Sequence, residues 1–389
     1  MNGISAGDFP PRFLREDGRR TATANERVLL DLLSRLGPAS RADLARLTGL
    51  APHSVTRLVE PLLSRGLIAE SAPVVQGRGK PSTALHLVGS AAFSVGLSVM
   101  TDALSLVLLD IAGNVLSART ARLRDEPFDR TTRRIGAMID AAIDAADRDP
   151  HTLVGVGVGV TGYFIGDGAR LNPPRLLDGW ALLPLDTLLA EAFGRKVWID
   201  NDGNVAALGE ALLGHGRTVA DFAYLYFSAG FGGGVISRGG SLRGHHGNAG
   251  EFASILPAGW PQPNLEELRL CLAEAGEAFD DIRSMLERFD AGHPAVDTWL
   301  DRVSPSLDLV ASAIWATFDP PMIVLGGRLP PSLASRLAER ITLTNPVRCG
   351  YQRPASRIVT SRVEGDAAAI GAACLPLRAA FFDPDEAVP

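Results

Sequence analysis

The chain has 389 residues, of which 46% are hydrophobic and 21% charged, and its net charge is −6. That balance is typical of a globular protein with two or three cores. No apolar run approaches the roughly 18 residues of a membrane span, and the start, "MNGISAGDFPPRFLREDGRR", lacks the apolar core of a signal peptide; the expectation is a cytoplasmic protein with no membrane partner. Three cysteines, Cys271, Cys349 and Cys374, are odd in number, far apart and in no Cys-x-x-Cys pair, which argues against a disulfide framework or a cysteine metal site. Charge is uneven: residues 1–85 carry 12 Arg and Lys against 8 Asp and Glu, a net +4, which leaves −10 on the rest. A small basic segment on a large acidic body fits a nucleic-acid-binding head on a body that repels DNA.

In chain order, residues 1–24 show no apolar periodicity and are expected to form a mobile, Arg-containing arm. From Asn25, residues Val28, Leu29, Leu32, Leu33 and Leu36 recur at helical spacing until Gly37-Pro38. Ser40 is placed to cap the next short helix, with Asp43 in its first turn and Gly49 at its end. A third helix opens with Pro52 in its first turn and closes at Gly66. Two helices joined by a glycine turn read as a helix-turn-helix. Its second helix would enter the major groove by His53, Ser54, Thr56 and Arg57, with Ser40 and Arg41 at the start of the preceding helix. "GLIAESAPVVQGRGKPSTALHLV" reads as strand, turn, strand, with a basic tip carrying Arg78 and Lys80 that suits a phosphate backbone or minor groove. Residues 25–88 thus read as a winged helix-turn-helix, the alternative being a three-helix protein-interaction module.

Beyond it, over residues 89–389, "FSVGLSVM", "ALSLVLLDIAG" and "NVLSARTARL" read as three β segments, "TTRRIGAMIDAAIDAAD" as a helix and "LVGVGVGVTG" as a buried strand. A related pattern recurs from "FAYLYFSAGFGGGVISRGGSLRG" to "PMIVLGGRL". Two such halves predict a duplicated, two-lobed α/β body of actin/hexokinase type with a cleft between lobes. Lobe one is expected over about 89–200 plus 356–380, and lobe two over about 201–355. In "WIDNDGNVAALGE", Asp202 falls at a strand-to-helix corner, where α/β proteins place ligands. It reads as a catalytic base, a ligand hook, or a helix cap accepting from the Asn204 or Val205 N–H.

Over roughly residues 22–380 the chain resembles the ROK (repressor, open reading frame, kinase) family in its winged-helix repressor branch. The resemblance is carried, in order, by "SRADLARLTGLAPHSVTRLVEPLLSRGLI", "DNDGNVAALGEALLG", "GFGGGVISRGGSLRGHHGNAGE", "IVLGGRLP" and "GDAAAIGAA". Kinases of the family open the body with an Asp-x-Gly-Gly-Thr phosphate loop; the matching stretch here, Val95 to Ser105, keeps only Gly96. Their second loop resembles Gly-Thr-Gly-x-Gly-Gly-Gly, and here Ala229 stands at the Thr position. Backbone N–H groups on glycines cradle phosphates and a Thr adds a hydroxyl, so the resemblance implies a non-enzyme. The family's zinc site takes one His and three Cys, but Ser254 stands at the His position and the cysteine segment holds none, with Cys271 alone nearby; no metal and no cofactor are expected. His245 and His246 are read as surface or cleft-edge polar groups. What persists is the family's sugar-binding set, Asn201, Asp202 and Glu251, with Glu266 and Asn172 as further candidates and Thr161-Gly162 on the cleft wall. The resemblance implies a repressor that binds a double-stranded operator, responds to a sugar or sugar derivative, and assembles with its own copies as a dimer or tetramer. The competing readings are a sugar kinase with an appended DNA-binding domain and a DNA binder whose body only dimerises.

Overall fold

A computed structural model describes residues 22–71, 83–124, 126–166 and 168–382. Helix α1 (Ala24–Leu36) starts from a capping box: Thr23 accepts from the Glu26 N–H and the Glu26 carboxylate accepts from the Thr23 N–H. Ala22 is fully buried, so the head extends into the end of the expected arm; residues 1–21 of that arm lie outside the described residues. Ser40 and Asp43 form a second capping box at α2 (Arg41–Thr48), which ends on left-handed Gly49. Helix α3 (Pro52–Ser64) has no side-chain cap; Pro52 stands at its start, where a missing N–H costs nothing. Its apolar face, Val55, Val59 and Leu62, packs inward. Strands β1 (Ala39–Ser40), β2 (Ile68–Glu70) and β3 (Ala84–Leu87) form a sheet in the order β1-β3-β2; β1 is too short to announce itself in sequence. The expected wing tip, with Arg78 and Lys80, lies outside the described residues.

The body holds two five-stranded sheets. The first contains β4 (Phe93–Val99), β5 (Ala103–Asp110), β6 (Val115–Arg122), β7 (Leu153–Val160) and, past the small hairpin of β8 (Tyr163–Phe164) and β9 (Leu171–Asn172), β10 (Val197–Asn201). Helices α4 (Phe128–Ala145) and α5 (Leu185–Phe193) cover it. The second contains β11 (Phe222–Phe227), β12 (Phe231–Ser237), β13 (Gly240–Ser241), β14 (Met322–Gly327) and β15 (Arg357–Thr360). Between them in sequence lies α6 (Asp202–Leu213), and later α7 (Leu265–Glu274), α8 (Ile282–Glu287), α9 (Pro294–Phe318), α10 (Pro331–Arg340) and α11 (Ala367–Leu377). The strand orders are β10-β7-β4-β5-β6 and β15-β14-β11-β12-β13. Each sheet is an antiparallel three-strand meander extended by two parallel strands on its first strand, so the expected duplication is met strand for strand. One boundary needs correction: β15, assigned with residues 356–380 to lobe one, pairs in parallel with β14 in the second sheet. Only long-range pairing could reveal that, because a four-residue apolar run carries no partner information.

Helices α6 and α11 pack between the sheets. Every residue of α6 from Asp202 to Leu212 is buried, so it lacks the polar face of an ordinary amphipathic helix. Glycines permit the close approach: a Cβ on Gly371 of α11 would collide with the Val205 carbonyl oxygen, and one on Gly96 of β4 with that of Ala369. The head joins this assembly through a continuous apolar cluster. Leu29, Leu30 and Leu33 of α1 share it with Leu208 and Leu212 of α6, and with Cys374, Leu377, Phe381 and Phe382. Arg217 also donates to the carbonyls of Ser34 and Arg35 at the end of α1, at 3.3 Å each, where a cation complements the helix dipole.

Gly371→Ala should therefore destabilise by about 1–3 kcal/mol, the cost of overpacking, although the same change in an exposed helix gains about 1 kcal/mol. Urea unfolding checks the sign; a stabilised variant would mean that α6 and α11 are not in backbone contact.

Candidate functional site

The C-terminal ends of β7 and β10 from the first sheet face β11 and the start of β12 from the second, and a cavity of about 300 Å³ opens between them. It is lined by Thr161, Gly162, Asn172, Asn201, Asp202 and Glu251, joined by Tyr163, Pro173, Pro174, Tyr226, Ser228 and Phe231. Such crevices outside strand C-termini are the usual ligand sites of open α/β sheets. Four of the five expected ligand residues, Asn172, Asn201, Asp202 and Glu251, are thus brought together from three separate stretches of chain. Glu266 is not. It lies in the first turn of α7 and binds Arg269 with both carboxylate oxygens, at 2.6 and 3.0 Å. An i,i+3 partner on its own helix engages the carboxylate that the family resemblance placed among the ligand candidates.

The N-cap of α6 is Asn201, whose side-chain oxygen accepts from the N–H groups of Gly203 (2.7 Å) and Asn204 (3.2 Å). Of the three readings of Asp202, the cap is thereby set aside in favour of its neighbour, because Asn201 keeps extended dihedrals while Asp202 is already helical. The Asn201 amide nitrogen donates to the Gly162 carbonyl at 2.7 Å and to Glu251 Oε1 at 3.5 Å. Asn201 is therefore a positioning residue that ties the corner to the cavity wall. Asp202 is left to face the cavity: Oδ2 accepts from the Thr161 hydroxyl at 2.6 Å, and Oδ1 from the Gly203 N–H at 3.0 Å. Burial raises its pKa to about 6 against the pull of those hydrogen bonds, and the Asp366 carboxylate adds to the rise. Burial and the charge of Asp202 raise Glu251 as well. Among the described lining residues, the charged groups are these two carboxylates. Asn172 donates to the Tyr163 hydroxyl at 2.6 Å, which braces the β8–β9 hairpin over the mouth.

Tyr226, Ser228 and Phe231 were missed from sequence. The available signal was the period of β11: residues 224, 226 and 228 alternate onto one face, and the last two reach the cavity. A second omission lies at the turn between β4 and β5. Asp102 there binds Arg328, after β14, through both guanidinium nitrogens at 2.6 and 2.9 Å, and accepts from the Arg283 N–H at 3.0 Å. This bidentate pair crosses from one lobe to the other, within the stretch that corresponds to the first phosphate loop of the family's kinases.

The residues at the family's zinc position do not fit a metal. Ser254 sits in a short 3-10 turn, Cys271 is buried on α7 within an apolar cluster, and His245 and His246 are exposed, stacked edge to face on each other at 4.6 Å. Among the described residues no group of three or more His, Cys, Asp or Glu could hold a metal ion.

In the head, His53, Thr56 and Arg57 are exposed and Ser54 half-buried on the first turns of α3, opposite its buried face. Ser40 and Arg41 are occupied within the head: the Ser40 hydroxyl donates to Asp43 at 2.7 Å, and Arg41 pairs with Glu70 at 2.6 Å and Glu60 at 3.5 Å. No helix among the described residues is long and apolar enough to cross a membrane.

Residues 94–272 match the ROK family. Over 366 residues the chain is 32% identical to y4fQ, an uncharacterized protein of Sinorhizobium fredii, with 92% of each chain covered. The xylose repressor of Bacillus spizizenii is 28% identical over 231 residues, 59% of this chain and 60% of that one, so the match spans about three-fifths of the repressor. Among solved structures, a ROK family transcriptional regulator described as a homolog of the E. coli MLC protein aligns with a TM-score of 0.63, covering 93% of this chain and 96% of its own at 24% identity; that likeness is one of fold.

Asp202 makes a pH prediction. Its folded pKa, about 6, lies above the unfolded value of 3.8. The folded state therefore binds the proton more tightly between those values, and stability falls as pH rises from about 4 through 6. The loss is at most about 3 kcal/mol. Asp202→Asn, which keeps an acceptor and cannot ionise, should remove that decline. Parallel stability–pH curves for the two proteins would show that Asp202 titrates normally.

Proposed function

This chain belongs to the ROK family, with an α/β, actin/hexokinase-like body behind an N-terminal winged helix, and from that premise we propose that it is a sugar-responsive, DNA-binding transcriptional regulator of the cytoplasm, acting as a repressor. It is related to a xylose repressor. The operator is contacted by His53, Ser54, Thr56 and Arg57 of α3, together with Arg78 and Lys80 of the wing sequence; Arg41 serves the head's own packing. A second copy of the chain supplies the partner head for a two-fold operator, as helix-turn-helix dimers require.

The observation that carries this reading is the path of α6. Its first residue is the cavity carboxylate Asp202, and its far end lies in the same apolar cluster as α1 of the head. Glu210, near that end, is wholly buried and accepts from the His215 N–H at 2.8 Å and the Ser361 hydroxyl at 2.6 Å, which links α6 to the second lobe. A ligand gripped by Asp202 and Glu251 thus acts on a helix wedged against both lobes and the head. It alters DNA binding to the extent that it prefers one arrangement over the other.

Phosphoryl transfer is not part of the proposal. Ala229 offers no hydroxyl to a phosphate, and the β4–β5 turn carries a carboxylate engaged by Arg328 instead of a glycine loop. With any sugar that the protein binds, and with ATP and magnesium, a coupled assay should detect no ADP above the no-enzyme rate. Steady turnover would make the protein a kinase with a DNA-binding head.

The regulatory reading is tested by operator titrations with and without sugar. Arg57→Ala should lose about 1–3 kcal/mol of operator affinity, by an amount that depends on base sequence. Asp202→Ala and Glu251→Ala should keep wild-type affinity for the operator alone and lose most of the sugar response. Wild-type responses in both cavity variants would leave the cavity without a regulatory role.

A further inference from the structure

Helix α11 does not end as an α-helix. Its last residue, Leu377, runs directly into a π-helical turn, Arg378–Phe382, a wider turn that is rare and recurs at functional sites. A break in the ladder precedes it. Pro376 has no N–H to offer the Ala372 carbonyl, and a proline ring crowds the carbonyl four residues back. Both groups lie against Gly157 of β7, where a Cβ would collide with the Ala372 oxygen. Within the turn, Phe381 is fully buried and Phe382 is 4% exposed. Their rings belong to the apolar cluster that holds Leu29, Leu30 and Leu33 of α1. The head is therefore seated on the π turn.

The other end of α11 and the space beside the turn suit a part that moves. Asp366, the N-cap of α11, lies near enough to Asp202 for its charge to add to the rise in that carboxylate's pKa. Helix α11 thus runs from the cavity carboxylate to the seat of the head. Beside the turn is a separate cavity of about 200 Å³, lined by Asn204 and Leu208 of α6, Leu375 of α11, Ser241 of β13 and Arg378. A close-packed interior resists displacement, and a void against an irregular turn leaves that turn room to rewind. Arg378, the first residue of the turn, donates to the Gly239 carbonyl at 3.3 Å. Gly239 in turn lies beside Arg35 of α1, whose guanidinium would stand 3.3 Å from a Cβ there. One short turn thus holds both the head and the β12–β13 connection of the second lobe.

We propose that the π turn Arg378–Phe382 is a movable seat for the DNA-binding head: tightening to an α-helical turn carries Phe381 and Phe382 out of the shared cluster, frees α1 and weakens operator binding. This rests on the regulatory reading above and gives it a moving part. A freed head must be ordered again on binding, which costs affinity. Removing one residue from a helix rotates everything beyond it by about 100°, so deletion of Ala379 from the full chain imposes the tightened turn. Pro376→Ala returns the missing N–H at constant chain length and favours the same turn more gently. Hydrogen exchange without DNA should show the α1 amides exchanging at least about 10-fold faster in the deletion variant and about 3-fold faster in Pro376→Ala, while β4 and β7 keep their protection. Duplexes selected from a random library by the wild type should bind the deletion variant at least about 10-fold more weakly. If the deletion also deprotects β4 and β7, Pro376→Ala decides by the same two readings. Wild-type protection of α1 in a variant whose body is intact overturns the proposal, as does unchanged or tighter duplex binding. A wild type that selects no duplex overturns the DNA-binding reading, and the exchange data then decide by themselves whether the turn seats the head.

Discussion

A helix with no solvent-facing side has to be specified at both ends by the groups around it, and α6 is such a helix. Its N-terminal N–H groups are satisfied by Asn201, because a buried helix end cannot turn to water. Near its C-terminus, Glu210 holds the following turn and the loop after β15. Small residues along α11 bring that helix into backbone contact with it. Interiors packed to crystal density do not deform continuously, so a displacement at one end of α6 is shared by whatever packs against the other. The placement of the cavity, the closeness of the lobes and the seating of the head all follow from this one element.

The cleft is furnished differently on its two sides. On the side of Asp202 and Glu251 it remains open; burial raises the pKa of both carboxylates, with the charge of Asp366 adding to the rise at Asp202 and that of Asp202 to the rise at Glu251. At the β4–β5 turn it is bridged by the Asp102–Arg328 pair, of which both members are largely buried. Such a pair is weak grounds for added stability, since desolvation offsets much of its attraction. Its bidentate geometry nonetheless prescribes the orientation of one lobe against the other. A fold of this kind does not by itself prescribe chemistry, which resides in the particular residues set around its cleft.

Much of the head was legible because its signals are local. Capping residues, helix-ending glycines and the 3.6 period each act within a few residues, so Ser40, Asp43, Gly49, Pro52 and Gly66 were placed correctly from the text alone. The role of Arg41 was not legible. Its partners Glu60 and Glu70 lie 19 and 29 residues away, and only the packing of α2 against α3 and β2 brings them near. The choice of cap for α6 has a similar origin: Asn201 and Asp202 are both good caps, and the end of β10 decides which of them stays extended.

By itself the sequence determined the α/β class, the winged head and the duplicated body, and its ordered motifs singled out Asn201, Asp202 and Glu251, which line one cavity, since periodicity, turn chemistry and motifs are written along the chain. Tertiary structure decided what those residues do there. It made Asn201 a brace and Asp202 the group that faces the cavity, withdrew Glu266 to Arg269, and added Tyr226 to the wall. It moved β15 to the second sheet and joined Asp102 to Arg328 across 226 positions of sequence. Hydrogen bonds and desolvation depend on distance in space, and no local pattern encodes which distant group will arrive within 3 Å of a given carboxylate.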